Sequence, residues 1–144
     1  MQAPCEVRKW QVVNGIRTGE RLVRPLVVAA GGAMGAGARW GLGEVMSGGE
    51  LWREVLVLLT VNTLGSLILG AVVFVTASGA RELLRLGLGV GFCGGLTTFS
   101  TFAVLTLDVR DSSVIAAVGF VVSSVVLAVA AVMSGAWLAQ RRTV

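Results

Sequence analysis

Four stretches of this chain carry no charged residue: Pro25 to Ala38, Val55 to Ala80, Leu86 to Leu107 and Ser112 to Gln140. No other feature narrows the possible folds as far. A helix needs about 20 consecutive apolar residues to cross a bilayer core, and the last three stretches reach that length. The first is shorter, and "RWGLGEV" extends it when Arg39 faces protein or water rather than lipid. With 55% hydrophobic residues, 14% charged and a mean hydropathy of +0.84, the 144-residue chain has too few polar groups to cover a soluble domain. The prediction is an all-α membrane protein. Its four transmembrane helices span approximately 25–46, 55–78, 86–107 and 112–139, so that 25–144 forms one membrane domain behind a basic segment, 1–24.

That leading segment has no short apolar core ending in a cleavage site, which argues against a secretory signal. "VRKWQVVNGIRTGERLVR" fits a disordered tail as well as a stretch lying on the membrane surface. Cys5 in the tail and Cys93 within a span do not suggest a disulfide. The chain has no histidine and no cluster of Cys or Asp, so a transition-metal centre lacks ligands.

Positive charge sets the orientation. With an even number of crossings, one side holds Arg8, Lys9, Arg17, Arg21, Arg24, Arg81, Arg85, Arg141 and Arg142. The other holds Arg53 and Arg110, with Arg39 near a helix end. The positive-inside rule places both termini in the cytoplasm, in the plasma membrane of a multi-pass protein. Nucleic-acid binding would need a folded basic surface, which is not available here.

Inside the spans, small residues recur every four positions: Gly31 and Gly35, Ser66 and Gly70, and Gly87, Gly91 and Gly95. Such stripes let helix backbones approach closely in lipid. Packing leaves "GGLTTFSTF" unexplained. Adjacent glycines weaken a helix by about 1 kcal/mol each, and the hydroxyls of Thr97 and Thr98 compete for backbone partners. The third helix is expected to break near Gly94–Thr97. Carbonyls freed by a break persist only when buried in protein, lining a wet cavity or bound to a cation.

Phe99 and Phe102 lie on one helix face among Thr98, Ser100 and Thr101. Taken alone they fit packing or lipid contact; turned edge-on to a path, their positive rims attract a small anion. Asn62, deep in the second span, fits interhelical bonding as well as a pore wall. Arg39 can snorkel to the interface or give a vestibule its charge. Ser123 and Ser124 can bond their own helix backbone or line a path. No Asp or Glu lies inside a span, so a proton-coupled exporter lacks its relay. A catalytic base beside a nucleophile is missing too, and the chain is not expected to be an enzyme.

"GGAMGAGARW", "TVNTLGSLILG" and "GGLTTFSTF" closely resemble, in order, the motifs of the Fluc (CrcB) fluoride channels, across most of the chain. The resemblance implies a passive fluoride-selective channel that relieves fluoride toxicity. It implies an antiparallel dimer enclosing two narrow pores, with a central structural sodium ion on backbone carbonyls. Those carbonyls map to Gly94 and Thr97. The fluoride pathway maps to Phe99, Phe102, Asn62, Ser100, Thr101 and Ser124, and the vestibule arginine to Arg39. Phe120 stands where many members have tyrosine, and Leu105 where many have glutamate. The Lys/Arg imbalance adds a further expectation: a chain biased to one orientation pairs with an inverted homologous subunit rather than with itself. The alternatives are a non-conducting or half-conducting partner subunit and, less well supported, a small proton-coupled exporter.

Overall fold

The computed structural model describes residues 18–46, 48–76 and 81–141, with side chains from Leu22 onward. Every element in this part of the chain is helical. Helix α1 runs Thr18–Met46 and α2 Leu51–Val75. A composite third span, Glu82–Ser112, contains α3 (Glu82–Leu84), a π-helical stretch Arg85–Cys93, α4 (Gly94–Leu96) and α5 (Ser100–Ser112). Helix α6 runs Val114–Arg141.

Three of these, α2, the third span and α6, are long and apolar enough to cross a membrane, which makes this a membrane protein. At 29 residues α1 has the length. Its glycines and alanines contribute little hydropathy, and Arg24 and Arg39 lie along it. The helices overrun the expected spans. Helix α1 is already helical at Thr18, the first described residue, within the basic segment, and continues through Pro25; α2 begins at Leu51. Hydropathy marks where hydrocarbon would begin, whereas a helix extends through charged residues into the interface. Residues 1–17, with Cys5, Arg8, Lys9 and Arg17, lie outside the described residues, as do 77–80 and Arg142.

Glycine sets the distance between α1 and the first half of the third span. A methyl group on Gly31 would collide with the Gly87 carbonyl, one on Gly35 with the Phe92 carbonyl, and one on Gly95 with the Gly32 carbonyl. This is backbone-to-backbone packing, the way helices associate where lipid removes any hydrophobic drive. The Arg24–Glu82 ion pair, 3.2 Å, closes one end of the seam. The π-helical stretch lies along this seam, with Gly87 and Gly91 set closely against Val27 and Val28 of α1 and Gly89 turned toward Leu69 and Val72 of α2. Helices α2 and α6 meet similarly. Gly70 abuts Val132, and Gly135 abuts Leu67. Of the small pair expected on the second span, Gly70 makes this contact, and its counterpart Gly135 lies in a stripe of buried small residues on α6 with Ala131 and Ala139.

The second half of the third span is held by larger side chains. Val55 and Leu58 of α2, Leu105 and Val109 of α5, and Ala117 and Phe120 of α6 form one buried cluster, with Phe102 packed against it. Ser113, in extended conformation (φ −165°, ψ 123°), alone separates α5 from α6. Its hydroxyl accepts the Ala116 N–H at 3.3 Å and so caps the start of α6.

Candidate functional site

The third span leaves helical geometry at Thr97 (φ −79°, ψ 155°) and resumes it at Ser100. The interruption is therefore Thr97–Phe99, a little beyond the expected Gly94–Thr97, because Gly94–Leu96 are helical. Gly95 is pressed on α1, which holds that turn in place. Side-chain hydrogen bonds then supply what the helix would have supplied.

Asn62 makes the first of these. Its Oδ1 accepts the Thr98 N–H at 2.9 Å, and its Nδ2 donates to the Thr98 carbonyl at 3.3 Å. One amide thus satisfies both backbone groups of a residue outside any helix, which is where a buried polar group would otherwise be costly. The second is local: the Thr101 N–H donates to Thr98 Oγ1 at 3.3 Å. In an unbroken helix the Thr98 and Thr101 amides would donate to the carbonyls of Gly94 and Thr97. Both amides are diverted to side chains, so these two carbonyls lose the donors a continuous helix would give them.

Thr98 is buried, and its hydroxyl lies 3.2 Å from both Ser100 Oγ and Thr101 Oγ1. Ser100 and Thr101 are exposed. Beside them opens a cleft of about 380 Å³ lined by Arg39 and Trp40 of α1, Glu54 and Val61 of α2, and Thr98 and Thr101. Arg39 is half-buried there and forms no ion pair among the described residues. The cleft lining thus carries one positive group, Arg39, one negative group, Glu54, and the hydroxyls of Thr98 and Thr101 as donors.

A row of phenyl rings leads from surface to core. Phe99 is 79% exposed; its centroid lies 5.6 Å from that of Phe102, which lies 5.3 Å from buried Phe120. Both pairs are tilted, by 38° and 40° between ring planes. Ser124 donates to the Phe120 carbonyl at 2.7 Å, and Ser123 donates to the same oxygen at 3.0 Å. The Ser124 proton is therefore committed to its own helix, while its lone pairs stay open. Leu105, at the position marked as a departure, is 2% exposed and belongs to the core cluster.

The structure thus brings Asn62, Thr98, Ser100, Thr101 and Arg39 to one cleft edge and a neighbouring surface, with Phe99 and Phe102 alongside. Thr98, which the sequence presents as one hydroxyl among several, is the point where their bonds converge. Two glutamates of the α2 end are easily passed over in sequence, yet Glu54 shares the Arg39 cleft.

Residues 26–136 match the family described as CrcB-like protein, Camphor Resistance (CrcB). The chain belongs to that family. The matched segment contains every residue of the site from Arg39 to Ser124. Among the CrcB-like relatives is a protein of Rhodococcus jostii, named Fluoride-specific ion channel FluC 1. It is 44% identical over 115 residues, covering 79% of this chain and 84% of the relative. Fluoride-specific ion channel FluC of Paracoccus denitrificans is 40% identical over 111 residues, covering 76% and 89%. The protein of the same name from Methanopyrus kandleri is 39% identical over 110 residues, covering 75% and 82%. Their names describe ion channels, which are not an enzyme class.

Proposed function

We propose that this chain is a subunit of a passive, fluoride-selective channel that exports fluoride across the cytoplasmic membrane and so relieves its toxicity. The interrupted third span carries the reading. At that interruption a CrcB-like chain gathers hydroxyls, an amide and phenyl rims beside an arginine-bearing cleft. A small anion is tightly hydrated, and each of these groups replaces part of its water shell with a contact weak enough to release. An inside-negative potential favours exit of each charge by about 2.3 kcal/mol per 100 mV. Fluoride is the ion in the names of the relatives.

In this reading the four helices, α1 included, cross the membrane with both termini in the cytoplasm, and two inverted subunits enclose the pores. A structural sodium ion fits the centre of such a dimer. The Gly94 and Thr97 carbonyls, freed of their helical donors, are hard neutral oxygens suited to a monovalent cation. Two oxygens are too few to hold one, so the set is completed by the partner's copy. Arg39 forms the vestibule. Asn62, Ser100, Thr101, Phe99, Phe102 and Ser124 lie along the path.

The test is fluoride efflux from liposomes holding the purified protein. Wild type is expected to pass fluoride and retain chloride, and F99A or N62A to lose most of that flux. An intact flux in both variants removes the pathway drawn here.

The charge bias favours a second reading of the assembly. Nine of the twelve Lys and Arg residues fall on one predicted side. A chain so biased inserts one way and meets an inverted homologous subunit. Purification of this chain alone as an inverted, conducting dimer overturns that pairing.

A further inference from the structure

The hydroxyl contacts at the break can be resolved by counting protons. A hydroxyl has one proton and two lone pairs. Thr98 Oγ1 gives one lone pair to the Thr101 amide, 3.3 Å away. It then has one proton and one lone pair for its two hydroxyl neighbours, Ser100 and Thr101, each at 3.2 Å. Thr98 must donate to one and accept from the other. The neighbour that accepts keeps its own proton free; the neighbour that donates does not. Turning the Thr98 O–H from Ser100 to Thr101 therefore moves the free donor from Ser100 to Thr101.

The two positions face different surroundings. Thr101 lines the Arg39 cleft, and Ser100 is exposed without lining it. Thr98 itself borders the cleft at only 9% exposure, so these two hydroxyls are the neighbours its own hydroxyl meets. Its backbone is pinned at both N–H and carbonyl by Asn62, which gives the rotating hydroxyl a fixed pivot.

We propose that Thr98 is a hydroxyl relay that offers a free O–H donor to a small anion alternately at Thr101, on the cleft side, and at Ser100, beyond it. The inference rests on the channel reading above and names a positioning residue for that same path. One donor at a time means that the ion gains a contact ahead as it loses one behind, and is never held by both.

Efflux from liposomes, measured over a range of internal fluoride concentrations, tests it with T98V and T98S. Valine matches threonine in volume and lacks the hydroxyl, so Ser100 and Thr101 both keep free donors and the Thr101 N–H loses its acceptor. T98V is expected to lower the half-saturating fluoride concentration and the maximal rate together, each about tenfold, as one additional hydrogen bond to an anion implies. T98S restores both. A maximal rate that falls while half-saturation stays constant or weakens is ordinary structural damage and overturns the relay, as do wild-type values in T98V or a T98S that fails to recover.

Should T98V not purify as folded protein, S100A, T101V and their double variant replace it. Each single change stops the exchange and the double variant also removes the remaining donor, so its loss is expected to be smaller than the two single losses combined. Additive losses overturn the relay. Wild-type protein that passes no fluoride would instead remove the channel reading itself.

Discussion

Before its interruption the third span meets α1 through glycine, with backbone against backbone and almost no side chain between them. After it, Ser100–Ser112 meets α2 and α6 through Phe102, Leu105 and Val109, in a cluster of ordinary large apolar residues. The first contact has no spare volume; the second is built from volume. The seam therefore resists enlargement, while the cluster tolerates change at a graded cost, and the interruption between them is held by hydrogen bonds that neither packing mode supplies.

Substitution can separate these three regimes. G95V sets two methyl groups against the Gly32 carbonyl and is expected to abolish recovery of folded protein, read by size-exclusion chromatography in detergent. Normal recovery would show that the seam has room. N62A leaves the Thr98 N–H and carbonyl without partners at a cost of about 1–3 kcal/mol each. A fall in thermal stability beyond that of L105A is the expected result, and a smaller one places the weight of the break elsewhere. L105A removes volume from the cluster and should cost about 2–5 kcal/mol while leaving fluoride flux in place. Loss of flux at unchanged stability would move Leu105 into the pathway. S124A should change stability by less than about 0.5 kcal/mol, because a helical serine bonded to its own backbone adds little.

Legibility in the sequence follows the same division. The apolar blocks are plain because a bilayer permits nothing else at that length, and the glycine stripes of α1 and the third span are plain because their spacing matches the helix repeat. The helix start at Leu51 is not, since charge stops insertion and not helix formation. Asn62 announces a need for a partner by its expense in lipid, yet the partner is the backbone of Thr98, far away in sequence. The break is legible as a break, but its placement at Thr97–Phe99 depends on which amides the side chains capture. Thr98 carries no distinguishing mark among four neighbouring hydroxyls; only the geometry makes it central. The π-helical geometry of Arg85–Cys93 likewise has no local pattern that announces it.

One linking residue, Ser113, joins α5 to α6. A connection this short ties the foot of α6 to the end of α5, while the far half of α6 is fixed separately by its glycine notch with α2. Displacing α5 as a whole would therefore strain both attachments, whereas turning a single hydroxyl beside the break would strain neither.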